Sequence, residues 1–215
     1  MVPVLYSFRR CPYAMRARLA LQVAGQTVEL REIELKAKPA EMLQASPKAT
    51  VPVLVLQDTV LEQSLDIMQW ALQRNDPLLW LPAGQAALDI SLALIAENDG
   101  SFKQHLDRYK YPHRYQLDSG IANRDAGAQF LQGLHQRLVR TPYLHGETWG
   151  LADAAIAPFV RQFAHTDTVW FAAQDWNALR QWLERFEASA AFHAIMQKVA
   201  PWKAGDAALL TTFAI

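Results

Sequence analysis

The chain has 215 residues, of which 51% are hydrophobic and 20% charged, so it is long enough to bury a substantial core as one large domain or two small ones. Its 21 basic residues balance its 21 acidic residues, which gives no electrostatic reason to expect nucleic acid or a membrane surface as a partner. No apolar run reaches the roughly 18 residues of a membrane-spanning helix, and the cytoplasm is the expected compartment.

The first half of the chain predicts alternating strands and helices in the order β-α-β-α-β-β-α. The expected strands are 2–8, about 27–35, 51–56 and 59–61, and the expected helices are 12–24, about 40–44 and one that begins near residue 64. Pro52 has no N–H to donate to a sheet, so it is expected at the first residue of its strand, where the bond to Val51 is a candidate for the cis form.

The second half predicts helices without strands. Helical periodicity recurs over 86–106, 125–140, 151–163 and 177–188. Prolines and glycine bracket a short segment before the first of these helices, which is typical of a linker. The predicted organisation is therefore a first domain over 1–75, a linker over 76–86 and an all-helical domain over 87–215.

The cysteine and histidine content limits which redox mechanisms and metal sites are possible. Cys11 is the only cysteine, so a dithiol mechanism is excluded and any thiol redox chemistry must pass through a mixed disulfide with an outside thiol. The six histidines show no close pairing of the His-x-x-x-His kind, so no metal site is expected. This pattern favours a small thiol as the partner.

Cys11 stands directly before Pro12, a residue favoured at the first position of a helix. As the N-cap residue, its sulfur would face unpaired backbone N–H groups and the positive end of the helix dipole, both of which stabilise a thiolate. Arg9 and Arg10 would add positive charge. The alternative is that Cys11 is a small buried hydrophobe, and the proline signal favours the reactive thiol.

Three motifs now carry a resemblance to a known family. They are Cys11-Pro12-Tyr13, Val51-Pro52 and Gln63-Ser64. In order and spacing they resemble the thioredoxin-like, glutathione-binding domain of glutathione S-transferases, and the stretch 6–19 is similar to the omega-like, cysteine-type group. The resemblance implies an α/β thioredoxin-like N-terminal domain plus an all-α C-terminal domain, a homodimer, and glutathione as co-substrate without a metal.

The same resemblance implies roles for individual residues. Val51, before Pro52, would offer its backbone N–H and C=O to the cysteinyl part of glutathione, although ordinary strand packing is the alternative. Gln63 and Ser64 would hold the γ-glutamyl carboxylate at a helix N-terminus, where Ser64 also suits a plain N-cap. Lys38 would pair with the glycyl carboxylate or be a solvated lysine.

This chain departs from the pattern of the group at one position. Many members carry a carboxylate where Gln63 stands, so the contact to the glutathione amino group is expected to be weaker here or to come from a neighbour. Glu62 is adjacent, but strand alternation points it away.

The helical half carries two further expectations. Tyr109, Tyr111 and Tyr115 follow the first long helix, which the resemblance implies flanks the site of the second substrate, and core packing is the alternative for these rings. Gly150 and Asp153 resemble the family's capping motif, although a glycine lacks the side-chain half of that box, so Asp153 is expected to serve folding.

The leading functional hypothesis is a glutathione-dependent transferase of the cysteine type, which transfers thiols or removes glutathione through a Cys11–glutathione mixed disulfide. The alternatives are conjugation of glutathione to small electrophiles, a non-enzymatic interaction module of the same fold, and an isomerase or dehalogenase. The second substrate is not indicated, because specificity in this fold lies in the helical half and the tail 203–215.

Overall fold

A five-stranded sheet organises the first part of the chain in the computed structural model, which describes residues 2–213. The strands are β1 (Val4–Ser7), β2 (Val28–Glu32), β3 (Val53–Val55), β4 (Val60–Leu61) and β5 (Leu210–Thr211). Their order across the sheet is β4-β3-β1-β2-β5. β1 pairs in parallel with β2, and the other three pairings are antiparallel.

Ten α-helices are found in the described residues. They are α1 (Pro12–Val23), α2 (Ala40–Ala45), α3 (Ser64–Arg74), α4 (Gln85–Glu97), α5 (Lys103–Lys110), α6 (Ile121–Leu138), α7 (Leu151–Ala164), α8 (Thr168–Ala172), α9 (Asn177–Ala188) and α10 (Ala190–Ile195). A π-helical turn over Asn98–Phe102 joins α4 to α5, and a 3-10 turn over Pro112–Tyr115 follows α5. None of the helices in residues 2–213 is long and apolar enough to cross a membrane.

Side-chain alternation gives the sheet two different faces. Leu5, Leu30 and Leu54 are neighbours across β1, β2 and β3, and all three are buried. Their face carries α1, which packs against α3. On the opposite face Tyr6 and Val53 join a buried cluster that includes Met42 of α2. Because both faces are covered, β1 and β3 read in the sequence as nearly continuous apolar runs, whereas β2 alternates between apolar and charged residues.

The guanidinium of Arg18 connects four segments of this unit and is 1% exposed. It donates to Ser7 Oγ at 2.8 Å and to the carbonyl oxygen of Ile195 at 2.9 Å, and it forms an ion pair with Glu32. The other carboxylate oxygen of Glu32 accepts from the backbone N–H of Arg9 at 2.8 Å. Burial lowers the pKa of Arg18 and the attraction of Glu32 opposes that effect. Arginine stays charged in proteins, so Arg18 and Glu32 form a compensated buried pair.

The C-terminal segment returns to the sheet. β5 pairs with β2, the Leu30 N–H donates to the Leu209 carbonyl at 2.8 Å, and the Trp202 N–H donates to the Glu32 carbonyl at 2.7 Å. The chain divides into two compact units, Met1–Leu79 with Ala188–Ile215, and Trp80–Glu187.

This division differs from the sequence-based one, which placed 87–215 in one all-helical domain. A two-residue strand is too short to show alternation in a sequence. It forms because the edge of β2 offers unpaired backbone groups. Of the predicted tail, residues 214 and 215 lie outside the described residues.

In the second unit, Asp153 closes the start of α7. Its carboxylate accepts from the backbone N–H of Gly150 at 3.1 Å, from that of Leu144 at 2.9 Å and from Trp182 Nε1 at 2.8 Å. Glycine has no side chain, so only the aspartate half of a capping box is present. Asp153 is fully buried, and burial raises its pKa to about 6 against these hydrogen bonds. The expectation that Asp153 is a folding residue is confirmed.

We predict that Glu32→Gln lowers the free energy of unfolding by about 3 kcal/mol, because it leaves the Arg18 charge buried without its carboxylate. The measurement is urea denaturation followed by circular dichroism. Asp125→Asn is the control, since it removes the ion pair with Arg124 on the surface and should cost less than about 0.5 kcal/mol. Equal losses in the two variants would contradict the assigned importance of the buried pair.

The raised pKa of Asp153 predicts how the free energy of unfolding depends on pH. Its pKa rises from 3.8 in the unfolded chain to about 6 in the folded one, so the folded chain binds this proton more tightly. The stabilising contribution of the protonated group is therefore complete below about pH 4 and is lost as the pH rises through about 6.

Relative to Asp153→Asn, the wild type should lose up to about 1.4 kcal/mol of unfolding free energy per pH unit between about pH 4 and pH 6, and little above pH 7. Urea denaturation of both proteins over this range checks the prediction. Parallel pH profiles for the two proteins would rule it out.

Candidate active site

Cys11 occupies the N-cap of α1. Its backbone is extended, with φ −79° and ψ 123°, and Pro12 is the first helical residue, as the sequence predicts. The Cys11 N–H donates to the Phe8 carbonyl at 2.9 Å, and its own carbonyl accepts from the Met15 N–H at 2.9 Å. The thiol is thereby held at the junction between β1 and α1.

The Cys11 thiol is directed at the backbone carbonyl of Val51, with an Sγ to O distance of 3.8 Å. The expected contact between the sulfur and the first N–H groups of the helix is not formed, since the sulfur accepts no capping hydrogen bond. The peptide bond between Val51 and Pro52 is cis. The structure therefore brings Cys11 and Val51 together, although 40 residues separate them in the chain.

Two opposing effects act on the ionisation of Cys11. The carbonyl of Val51 accepts only from a protonated thiol, whereas the positive end of α1 favours a thiolate. Arg18 adds to the second effect. Burial, Glu32 and Arg9 have larger effects on the pKa of Arg18, and attraction to an ionised Cys11 raises that pKa slightly. That attraction is mutual, so it also favours the thiolate.

Ser64, at the start of α3, forms a hydrogen bond with a residue of α1. The N-cap of α3 is Gln63, and Ser64 is the first helical residue, so the expectation that the Ser64 hydroxyl caps the helix is wrong. The hydroxyl points inward and accepts from Arg16 Nε at 2.9 Å. Arg16 is 2% exposed, and its guanidinium lies 5.0 Å from the centre of the Tyr13 ring.

The other two predicted side chains are more open. Gln63 is exposed at the start of α3. Lys38 is half-buried between β2 and α2, and within residues 2–213 its ammonium has no ion-pair partner. Both side chains are available to a ligand.

Glu62 ties the chain before α3 to the loop that leads to Val51. One carboxylate oxygen accepts from the hydroxyl of the buried Ser46 at 2.5 Å, and the other lies 3.2 Å from Lys48 Nζ. The hydrogen bonds from Ser46 and Lys48 lower the pKa of Glu62. Glu62 is thus committed to the loop, which agrees with the expectation that it points away from a ligand.

The three tyrosines considered for a second-substrate site have different surroundings in the helical unit. Tyr109 packs against Phe163 with ring centres 4.9 Å apart, and burial raises its pKa. Arg114 lies 4.2 Å from the centre of the Tyr111 ring, whereas Tyr115 is 43% exposed. Packing thus accounts for Tyr109, as the alternative of core packing predicts. A shared pocket for all three tyrosines stays a prediction.

Sequence reasoning did not assign two features of this site. The first is the bond from Arg16 to Ser64, and the second is the anchoring of the Val51 loop by Glu62. The available signal for the first was a pair of arginines, Arg16 and Arg18, in a helix whose other residues are mostly apolar. Long charged side chains on such a helix are buried only when they have partners.

Comparison with known proteins agrees with this geometry. Residues 5–78 match the family model of the glutathione S-transferase N-terminal domain, and residues 95–185 match that of the C-terminal domain. The chain belongs to the glutathione S-transferase superfamily. Its fold class is the one expected, a thioredoxin-like domain with a mixed sheet followed by a helical domain.

Individual relatives of this transferase-family chain are distant. It is 27% identical over 207 residues to the stringent starvation protein A homolog of Haemophilus influenzae, covering 93% of this chain and 92% of that protein. It is 26% identical over 165 residues to glutathione S-transferase U28 of Arabidopsis thaliana, covering 74% and 72% respectively.

A solved structure extends the comparison of fold. A glutathione transferase family member from Pseudomonas fluorescens, whose structure has two glutathione molecules bound, superposes with a TM-score of 0.77 at 19% identity. The match covers 91% of this chain and 92% of that one. Glutathione is the co-substrate of the family. In the part of the chain that the structure describes, no group of three or more His, Cys, Asp or Glu side chains is placed to hold a metal ion.

We predict that Glu62→Ala accelerates amide hydrogen exchange in residues 46–51 by about tenfold, because the loop loses its bonds to the carboxylate. Exchange followed by mass spectrometry of the peptide that covers this loop provides the measurement. Asp58→Ala, in the exposed turn between β3 and β4, is the matched control and should leave the loop unchanged. Exchange at the wild-type rate in Glu62→Ala would refute the anchoring role.

Proposed function

We propose that this protein is a glutathione-dependent transferase of the cysteine type, similar to the omega-like group, in which Cys11 carries the glutathionyl group. The observation that supports the proposal most is the position of the single thiol. Cys11 lies at the N-cap of a helix that Pro12 begins, in contact with the residue before the cis proline.

The neighbouring hydroxyl groups support a cysteine rather than a hydroxyl as the reactive group. Other classes of the family use a tyrosine or serine to activate the thiol of glutathione. Here the Tyr6 hydroxyl accepts from Arg31 at 2.7 Å, and the Ser7 hydroxyl accepts from Arg18 at 2.8 Å. Both residues are at most 2% exposed, so their hydroxyls hold structural positions.

In the proposed binding mode, the backbone of Val51 pairs with the cysteinyl part of glutathione as a strand would. Ser64 and Gln63 receive the γ-glutamyl carboxylate at the N-terminus of α3. Lys38 pairs with the glycyl carboxylate. This arrangement brings the sulfur of the peptide to the thiol of Cys11.

The proposed reaction has two steps. The Cys11 thiolate attacks the glutathione sulfur of a mixed disulfide R–S–S–glutathione. A Cys11–glutathione disulfide forms, the original S–S bond breaks, and the leaving thiolate RS⁻ takes up a proton. A second glutathione thiolate then attacks the glutathione sulfur on Cys11, which releases glutathione disulfide and regenerates the Cys11 thiolate. Overall, the mixed disulfide and one glutathione become RSH and glutathione disulfide: the sulfur of R is reduced, the sulfur of the incoming glutathione is oxidised, and the number of disulfide bonds is unchanged.

Two alternatives remain as outcomes of the test. Conjugation of glutathione to a carbon electrophile would not pass through a Cys11 disulfide. An interaction module of this fold would not bind glutathione, and the stringent starvation protein A homolog of Haemophilus influenzae is not named as a transferase. A homodimer and a cytoplasmic location stay predictions from the sequence.

We predict that the reduced protein, treated with glutathione disulfide, gains one glutathionyl group at Cys11 and loses it again in excess glutathione. Intact mass and peptide mapping check this. Cys11→Ala should lower the turnover of the mixed disulfide of glutathione and 2-mercaptoethanol by about a hundredfold or more, because the nucleophile is removed.

Cys11→Ser is the matched control, since its hydroxyl occupies nearly the same volume as the thiol. Disulfide turnover that survives in Cys11→Ala would contradict the mechanism. Conjugation of 1-chloro-2,4-dinitrobenzene that survives in Cys11→Ser without disulfide turnover in the wild type would favour the conjugating alternative. A wild type that does not bind glutathione would favour the interaction module.

A further inference from the structure

Phe213, near the end of the C-terminal segment, turns back into the interior of the first unit. It is 5% exposed, although residues 203–210 before it are exposed. Its backbone has a φ of 52°, a left-handed conformation that is rare for a bulky side chain. Such a conformation persists only where the surrounding contacts determine it, so the inward position of Phe213 is a specified feature of the fold.

Two hydrogen bonds hold the backbone of Phe213 in this position. Gln22 Nε2 donates to its carbonyl oxygen at 2.6 Å, and its own N–H donates to Thr211 Oγ1 at 2.8 Å. Gln22 lies on α1, the helix capped by Cys11, and Thr211 lies on β5, which pairs with β2. Phe213 is therefore attached to the helix and to the edge of the sheet.

The ring of Phe213 covers the buried Arg18. The guanidinium carbon lies 5.5 Å from the centre of the ring, a distance at which a cation is attracted to an aromatic face. A cavity of about 110 Å³ borders Arg18, Phe213 and Leu30. Removal of the ring would enlarge this cavity beside a polar group, and such a space admits water.

A chain of contacts leads from Arg18 to the loop before α1. Arg18 is paired with Glu32, whose other carboxylate oxygen accepts from the Arg9 N–H at 2.8 Å. In the same loop, the Cys11 N–H donates to the Phe8 carbonyl at 2.9 Å. The attraction between two charges weakens as water raises the local dielectric constant. Water beside Arg18 would therefore loosen the hold of Glu32 on the loop.

From these contacts we infer that Phe213 is a positioning residue for the Cys11 thiol. It excludes water from the pair of Arg18 and Glu32, and that pair fixes the loop over residues 8–11. The inference rests on the proposed function, since that function makes Cys11 the nucleophile. Phe213 sets the rate of sulfur transfer rather than the affinity for glutathione, because its contacts lead to the loop that carries the thiol.

The first measurement is the amide hydrogen exchange of Arg9, followed by NMR, which reports directly on the bond to Glu32. Exchange should be about tenfold faster in Phe213→Ala than in the wild type. Phe171→Ala is the matched control, since it removes a ring buried to a similar extent in α8 of the other unit. It should leave the exchange of Arg9 within about twofold.

The second measurement separates sulfur transfer from binding. In a single turnover with a saturating mixed disulfide of glutathione and 2-mercaptoethanol, Phe213→Ala should glutathionylate Cys11 about tenfold more slowly, because the nucleophile is less well placed. The dissociation constant of S-methylglutathione, measured by calorimetry, should stay within about twofold. A purely structural role would lower stability without this separation of rate from affinity.

Phe213→Leu tests the exclusion of water. Leucine keeps an apolar side chain over Arg18 without the aromatic face, so the rate of glutathionylation should stay within about threefold of the wild type. A loss as large as in Phe213→Ala would contradict the exclusion of water.

The outcomes separate this inference from the proposed function. If Phe213→Ala keeps the wild-type exchange and rate, weakens only the binding of S-methylglutathione, or behaves like Phe171→Ala, the inference is overturned while the proposed function stands. If the wild type is not glutathionylated at Cys11, the proposed function fails, and the exchange of Arg9 decides separately whether Phe213 holds the loop.

Should Phe213→Ala fail to fold, Gln22→Ala replaces it. This change removes the hydrogen bond to the Phe213 carbonyl and leaves the ring in the chain. Arg9 exchange should then be about threefold faster and glutathionylation about threefold slower. Wild-type values for both would again overturn the inference.

Discussion

The buried ion pair between Arg18 and Glu32 is the constraint on which the rest of the first unit depends. Arg18 stands on α1, two residues beyond Arg16 and seven beyond Cys11, and it reaches β1, β2 and the end of α10. Glu32 in turn holds the backbone N–H of Arg9, in the loop before Cys11. A buried charge is tolerated only where it is compensated, so this pair fixes the strands, the first helix and the returning C-terminal segment in one arrangement.

The candidate active site follows from that arrangement. Glu32 holds the loop that places Cys11 at the N-cap of α1. Glu62 holds the loop that places Val51 beside the Cys11 sulfur. The hydroxyl groups of Tyr6 and Ser7 on β1 accept hydrogen bonds from the half-buried Arg31 and the buried Arg18, respectively. At this end of the sheet lie the Cys11 thiol, the strand-like backbone of Val51 and the N-terminus of α3. Together these groups suit a short peptide that carries a thiol.

Much of the fold, and the position of the central thiol, could be predicted because local signals determine them. Pro12 specifies the start of α1 and therefore the N-cap position of Cys11, and α9 is found over the predicted residues. The features that were missed depend on distant parts of the chain. β5 has two residues and exists through pairing with β2, and the hydrogen bond to the Ser64 hydroxyl comes from Arg16, 48 residues earlier. Periodicity and capping rules use neighbouring residues only, so they do not predict contacts between distant parts of the chain.

The central claim is that Cys11 is a reactive thiolate, and the most direct measurement is the rate of its alkylation by iodoacetamide as a function of pH. The chain has no other cysteine, so the rate reports on this thiol alone. We predict a midpoint well below the value of about 8.5 for an unperturbed cysteine, because the N-terminus of α1 favours a thiolate. A midpoint at or above that value would contradict the cysteine-type mechanism.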